Sequence, residues 1–157
     1  MRIGRLDVAI DGRHIALSGR IDDSINLAQL ATEVSGPEVV LDTAGVVFVN
    51  SVGTREWIRF QRALRERGIA IVLDRVADVL ITQINMIPEL ATGVTVTSFH
   101  AQYACGACGY EGAPLVDAVA HRAALARLAA PPIPCPECGA AMELADFPER
   151  YLSIFRE

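Results

Sequence analysis

The chain has 157 residues, of which 52% are hydrophobic, and a length of this order predicts one domain of roughly 100 to 150 residues with a small appendage. Its net charge of -5 disfavours binding to the phosphates of nucleic acids, so nucleic acid is not an expected partner. The N-terminus has no signal-peptide pattern and no stretch reaches the roughly 20 apolar residues that span a bilayer, so we expect a cytoplasmic protein without membrane insertion.

The N-terminal part of the chain predicts a hairpin, a helix and a strand. "RLDVAIDGRHIALSGRI" reads as two strands joined at Asp11-Gly12, a dipeptide that is typical of tight hairpins. Ser24 is placed to cap a short helix, which the Ser-Gly-Pro sequence of residues 35–37 would end. The apolar run "EVVLD" at residues 38–42 then predicts a buried strand.

Residues 54–67 have the clearest amphipathic pattern. Trp57, Phe60 and Leu64 recur at helical spacing, the opposite face is rich in arginine and glutamate, and Gly68 follows as a stop. The later runs "IAIVLD", "ADVLITQINMI" and "GVTVTSF" predict a strand, a helix and a last strand. The order ββαβαβαβ indicates an α/β fold with a mixed sheet and helices mainly on one face.

Five short motifs follow one another along this part of the chain: "LSGRID" from residue 17, "VVLD", a Gly-Val-x-Phe bend, "NSVG" and "IAIVL". Their order resembles the STAS domain, a family that includes the bacterial anti-sigma factor antagonists. The resemblance covers about residues 5–99 and predicts a STAS-like domain over residues 1–99. In the antagonists the loop reads Asp-Ser-Ser-Gly, and a partner kinase phosphorylates the second serine. Here Asn50 and Val52 stand at the aspartate and phosphoacceptor positions, so phosphorylation at the usual position is chemically impossible.

The resemblance also predicts a partner-binding surface at the "NSVG" loop and the start of the following helix. That surface consists of Asn50, Ser51, Val52, Gly53, Thr54 and Arg55. The expected partner is a protein, such as an anti-sigma-type kinase or a sensor. We expect Thr54 and Arg55 to face outward, and phosphorylation displaced to Ser51 or Thr54 is a further hypothesis, because a helix N-terminus stabilises phosphate. Asn50 and Ser51 are also good helix caps, which is the alternative interpretation of both residues.

The four cysteines form two Cys-x-x-Cys pairs, each followed by glycine. Cys105 and Cys108 lie in "CGACG", and Cys135 and Cys138 lie in "CPECG". This spacing is typical of zinc knuckles and predicts one structural Zn2+ in a zinc-ribbon-like module over residues 100–157. Disulfides are disfavoured in a reducing cytoplasm, and a redox-active Cys-x-x-Cys ordinarily uses a single motif.

The segment between the two cysteine pairs predicts a helical insertion. Asp117 can cap a helix that runs to about Ala129 and ends before the prolines at residues 131–132. Beyond the second pair, "FPERYLSIF" carries an apolar stripe that either docks on the first domain or binds a partner. The stripe consists of Phe147, Tyr151, Leu152 and Phe155.

Two functions from different classes remain open. The STAS resemblance implies a non-enzymatic signalling or adaptor protein. Two observations argue against an enzyme: the histidines at 14, 100 and 121 are scattered, and four cysteine ligands would leave no metal position for an activated water. The alternative is a small redox metalloprotein that binds iron at the four cysteines, because "CGACGY" and "CPECG" also resemble rubredoxin. The aromatic core of rubredoxin is missing between the two motifs.

Overall fold

The computed structural model describes residues 1–156 and contains a mixed six-stranded sheet. Its strands are β1 (Arg2–Ile3), β2 (Leu6–Asp11), β3 (His14–Ile21), β4 (Glu38–Val49), β5 (Ala70–Asp74) and β6 (Val94–Val96). The strands lie across the sheet in chain order. The pairs β1–β2 and β2–β3 are antiparallel, whereas β3–β4, β4–β5 and β5–β6 are parallel. The predicted mixed α/β sheet is confirmed, with the short β1 as an additional strand.

Four helices accompany the sheet. They are α1 (Ala28–Glu33), α2 (Ser51–Glu66), α3 (Asp78–Met86) and α4 (Pro88–Ala91). Along β5, Ile71 and Leu73 are buried while the residues between and beside them are exposed or half-buried. This alternation fits a sheet with helices on one face. The hairpin between β2 and β3 turns at Gly12, whose φ of 60° lies in the left-handed region that glycine adopts without cost.

Helix α2 buries its apolar stripe as its sequence predicts. Trp57, Phe60 and Leu64 are each at most 2% exposed. The indole N–H of Trp57 donates to the side-chain oxygen of Gln61 at 2.5 Å, and the Gln61 amide donates to the carbonyl of Leu90 at 3.1 Å. These bonds satisfy the buried indole N–H of Trp57 and the amide of Gln61, and they connect α2 to α4.

Ser24 does not cap α1, which corrects the sequence-based expectation. Helix α1 begins at Ala28, and its N-cap residue, Leu27, makes no side-chain capping bond. The Ser24 hydroxyl donates instead to Asp22 Oδ1 at 2.6 Å and accepts from the backbone N–H of Arg5 at 2.9 Å. Asp22 is buried, so its carboxylate requires local donors, and this requirement outweighs the weaker preference of serine for a helix cap.

The buried Asp22 carboxylate is held by four hydrogen bonds. Its Oδ1 accepts from the hydroxyl and the backbone N–H of Ser24, and its Oδ2 accepts from Arg5 and Arg20 at 3.0 Å each. The two Ser24 bonds, supported by the arginines, outweigh burial and hold the pKa of Asp22 well below its usual range. A lowered folded-state pKa stabilises the fold above about pH 4, and this stabilisation is lost as the pH falls further.

We therefore expect Asp22→Asn to lower the free energy of unfolding at pH 7, because an amide cannot accept all four bonds. The loss should shrink as the pH is lowered from about 5 towards 2, because the Asp22 carboxylate of the unfolded wild type becomes protonated there and the advantage of the ionised folded carboxylate declines. Urea titrations at a series of pH values measure the effect. Asp23→Asn is the matched control, since Asp23 is exposed; an equal loss in both variants would contradict the role of Asp22.

The C-terminal part of the chain forms two small sheets and two short helices. Its elements are β7 (Ser98–His100), β8 (Tyr103–Ala104), β9 (Glu111–Gly112), β10 (Leu115–Asp117), α5 (Arg122–Ala126), β11 (Ile133–Pro134), β12 (Ala141–Leu144) and α6 (Pro148–Leu152), followed by a 3-10 turn at Ser153–Phe155. Strand β7 pairs with β10, and the other four strands lie in the order β11-β12-β8-β9. We refer to residues 103–144 as the cysteine module.

The predicted helix from Asp117 to Ala129 is wrong in its bounds. Asp117 ends β10, paired with Ser98, and its carboxylate accepts from the N–H groups of Val119 and Ala120. Only residues 122–126 are helical. The pairing of β10 with β7 joins residues far apart in sequence, so local helical spacing could not reveal it.

Packing joins the C-terminal part to the six-stranded sheet. Phe99, Tyr103, Val116 and Leu125 belong to the same buried cluster as the apolar side of the sheet, and β7 crosses the predicted domain boundary at residues 99–100. Of the "FPERYLSIF" stripe, Tyr151 and Leu152 are buried and Phe155 stacks on Phe99 with ring centroids 5.4 Å apart, whereas Phe147 is exposed. The stripe therefore docks within the chain, except at Phe147.

Candidate metal centre and loop surface

The two cysteine pairs lie on turns with the same hydrogen-bond pattern. In the first, the N–H of Cys105 donates to the carbonyl of Tyr110 at 2.8 Å, and the N–H of Gly109 donates to the carbonyl of Cys105 at 3.0 Å. In the second, the same bonds link Cys135 with Ala140 at 2.7 Å and Gly139 with Cys135 at 2.9 Å. Both glycines have φ near 80°, so the turn requires a residue that tolerates the left-handed region directly after the second cysteine.

The folded chain brings the four cysteine sulfurs together. All four lie within 4.8 Å of one another, with Cys105 and Cys138 at 3.5 Å and Cys108 and Cys135 at 3.6 Å. A disulfide requires about 2.05 Å, whereas a tetrahedral ion with bonds of about 2.3 Å separates its sulfurs by about 3.8 Å. The four free cysteines are therefore arranged to hold one metal ion, and the arrangement suits zinc and iron alike.

The electrostatics of the cluster favours a cation. The backbone N–H groups of Cys108 and Ala107 stabilise the Cys105 thiolate and lower its pKa to about 7. At Cys108, the N–H of Tyr110 also favours the thiolate, but burial and the neighbouring sulfurs outweigh it and raise the pKa to about 12. Four thiolates this close repel one another, and a divalent ion offsets the repulsion. Metal binding should therefore release protons and weaken as the pH falls.

Polar contacts attach the C-terminal part of the chain to α3 and brace the segment between the two cysteine pairs. The Gln102 amide donates to the carboxylate of Asp78 on α3, and the Tyr103 hydroxyl donates to the carbonyl of Pro131 at 2.8 Å. At the far end of α3, the Asn85 side-chain oxygen accepts from the N–H of Ile154 at 2.9 Å. Helix α3 is thus tied at both ends to the C-terminal part of the chain.

The "NSVG" loop is fixed at the carboxyl ends of β3 and β4. Asn50 is the N-cap of α2: its side-chain oxygen accepts from the N–H of Gly53 at 2.9 Å, and its own N–H donates to the carbonyl of Ile21 at 3.1 Å. This confirms the capping interpretation of Asn50, whereas Ser51 is the first residue of the helix. Gly53 packs so closely on β3 that an added Cβ would lie 2.0 Å from the Ile21 oxygen.

The side chains of this loop divide into an outer and an inner set. Ser51, Val52 and Arg55 are exposed, and Val52 exposes 44% of its surface. The expected outward orientation of Thr54 is wrong, because Thr54 lies one helical turn before Trp57 on the buried side and is only 6% exposed. Of the two hydroxyls considered for displaced phosphorylation, only that of Ser51 is therefore on an exposed residue.

A groove runs between the start of α2 and the end of α3. It has a volume of about 320 Å³, with Val49, Ile58 and Ile87 as its apolar floor and Arg55 and Gln83 among its other lining residues. The surface predicted from the sequence, residues 50–55, did not include α3. The spacing of Gln83 and Ile87, one helical turn apart, could have shown that they share a face, but not that this face lies beside α2.

A scan against protein-family models and a search of curated proteins find no match to this chain. Both candidate sites therefore rest on the geometry of the described residues. Within residues 1–156, no helix has the length and apolar character needed to cross a bilayer.

Proposed function

We propose that the protein is a non-enzymatic signalling or adaptor protein with a STAS-like domain over residues 1–99. A protein partner binds the surface at residues 50–55, and a zinc-ribbon-like module holds one structural Zn2+ and offers a second contact. The observation that carries the proposal is the rigid presentation of the loop. Its backbone is fixed by the Asn50 cap and by the close approach of Gly53 to Ile21, yet its outward side chains remain exposed.

Rigid presentation favours recognition for a thermodynamic reason. A loop that is already ordered loses little conformational entropy when it binds, so its exposed groups contribute more fully to affinity. Val52 supplies apolar surface and Ser51 and Arg55 supply polar groups, a combination suited to a protein interface. With valine at the usual phosphoacceptor position, the interaction does not depend on phosphorylation there, and Ser51 is the position where a displaced phosphate would act.

The metal is proposed to be structural because four thiolates complete a tetrahedral coordination sphere. The residues that would hold it are Cys105, Cys108, Cys135 and Cys138. A rubredoxin-like redox function is the second candidate, supported by the exposure of Cys108 and Cys138 at the surface. Elemental analysis and a visible spectrum of freshly purified protein decide between them: one equivalent of zinc in a colourless protein supports the structural role, whereas coloured, iron-loaded protein supports redox activity.

We expect Ser51→Asp to weaken binding of the native partner by about tenfold or more, because the new charge must be desolvated in the contact. The partner is first isolated from cells that express the protein, and the affinities are then compared by titration calorimetry. Ser35→Asp is the matched control, since Ser35 is an exposed serine that precedes β4, at the amino end of the parallel strands. Equal affinity for wild type and Ser51→Asp would place the binding surface elsewhere.

A further inference from the structure

The groove between α2 and α3 combines an apolar floor with positive charge. Arg55 is the one ionisable residue among those that line it. Within residues 1–156 Arg55 forms no ion pair. Two other arginines of α2 are paired, Arg59 with Glu56 and Arg62 with Glu89. Arg55 is thus available to an incoming carboxylate, with no partner among residues 1–156 to displace.

The positive charge extends along α2 beyond the groove. Residues 51–67 contain five arginines and two glutamates, whereas the whole chain has a net charge of -5. This local sign opposes that of the rest of the molecule, so it would attract and orient an acidic partner at one place. A long polyanion, such as a nucleic acid, would also meet the acidic remainder of the surface and be repelled by it.

The apolar part of the surface indicates how the partner is anchored. Val49, Ile58 and Ile87 are half-buried in the groove. Two residues close to the groove in the sequence, Val52 and Met86, are exposed over 44% and 64% of their surface. Grooves between two helices commonly bind the apolar side chains of a partner segment. A volume of about 320 Å³ is near the lower limit of small-molecule sites, and it suits one or two such side chains.

We propose that this groove binds an acidic protein segment, with an apolar side chain against Val49, Ile58 and Ile87 and a carboxylate paired with Arg55. Arginine suits this role because its planar guanidinium donates two parallel hydrogen bonds to one carboxylate. The inference rests on the proposed function and names the chemistry of the partner at the same surface.

A direct test uses two synthetic amphipathic peptides that share one leucine pattern and carry either glutamate or lysine at the remaining positions. Each is titrated into the full-length, 15N-labelled protein. We expect the glutamate peptide to shift the amide signals of residues 49–58 and 83–87, and the lysine peptide to bind at least about tenfold more weakly. Equal binding of the two peptides, or shifts confined to other surfaces, would overturn the inference.

A charge exchange at Arg55 makes the test specific. Arg55→Glu should lower the affinity for the glutamate peptide by about tenfold or more and raise the affinity for the lysine peptide. Arg127→Glu is the matched control, because Arg127 is also exposed, lies at the end of α5 and makes the same change in net charge. If Arg127→Glu alters peptide binding as much as Arg55→Glu does, the effect belongs to the net charge and the inference fails.

The native partner separates this inference from the proposed function. If Ser51→Asp and Arg55→Glu each lower the affinity for the native partner, and the partner's contact segment is acidic, then the proposed surface and the acidic-segment inference both stand. If Ser51→Asp weakens binding but a cross-linker placed at Val52 recovers a segment without carboxylates, the acidic-segment inference fails while the proposed surface stands. If neither variant changes the affinity for the native partner, the proposed surface itself is wrong.

Discussion

Cys135→Ser is expected to release the metal and to destabilise the whole molecule. Cys135 is buried beside the other three sulfurs, and serine is a poor zinc ligand, so three thiolates would have to hold the ion alone. Because a structural zinc, the ion proposed here, contributes around 10 kcal/mol or more to small modules, a loss of about 3 kcal/mol is a conservative expectation. For a chain of this size that loss lowers the melting temperature by about 6–12 °C.

Amide hydrogen exchange measures which parts of the chain lose stability in Cys135→Ser. We expect the amides of residues 103–144 to show the largest increase in exchange rate in Cys135→Ser, while those of β3, β4 and β5 change less and remain the slowest to exchange. The melting temperature should fall nevertheless, because Tyr103 and Val116 share the buried cluster of the six-stranded sheet. Treatment of the wild type with a strong chelator should give the same pattern.

Ala107→Ser is the matched control for this prediction. Ala107 is exposed in the first cysteine turn and contributes no sulfur, so its replacement adds a hydroxyl without removing a ligand. The control should keep one equivalent of metal and the wild-type melting temperature. A Cys135→Ser protein with a full equivalent of metal and unchanged melting would show that the four sulfurs do not form the site.

The parts of the structure that were predicted correctly depend on local patterns. The hairpin at Gly12, the amphipathic helix α2 and the parallel strands each have a hydrophobic period or a turn residue within a few positions. The metal-binding turns of the four cysteines were also predicted from a local pattern, because the Cys-x-x-Cys-Gly sequence by itself determines the turn that presents two sulfurs. Their approach to within 4.8 Å follows from the pairing of β8 with β12, and the spacing only implied it.

Two of the predictions that failed involve a contact between residues far apart in the chain. Ser24 was expected to cap a helix, but it bonds to Asp22 and Arg5; Asp117 was expected to begin a helix, but it pairs with Ser98. In both cases the polar residue also has a partner 19 positions away, Arg5 for Ser24 and Ser98 for Asp117, which the local sequence does not indicate. The groove beside Arg55 also depends on residues far apart in the chain, since it exists only where α3 lies beside α2.

Gly53→Ala is expected to destabilise the fold and to disrupt the loop surface together. A Cβ at this position would lie 2.0 Å from the Ile21 carbonyl oxygen and 2.6 Å from the Asp22 nitrogen, and both are backbone atoms that cannot rotate away. The start of α2 would have to move off β3, at a cost of about 1–3 kcal/mol or more. Alanine favours the helix itself by about 1 kcal/mol over glycine, so any net loss measures the close approach.

Gly106→Ala is the matched control, because an added Cβ there meets no atom within 4 Å and its φ is not positive. Urea unfolding should show a clear loss for Gly53→Ala and little change for Gly106→Ala. The amide signals of Ser51, Val52 and Arg55 should shift in Gly53→Ala, since the Asn50 cap bonds the N–H of residue 53. A Gly53→Ala protein as stable as wild type would mean that the loop tolerates displacement, and the rigid presentation on which the proposed partner surface depends would then be wrong.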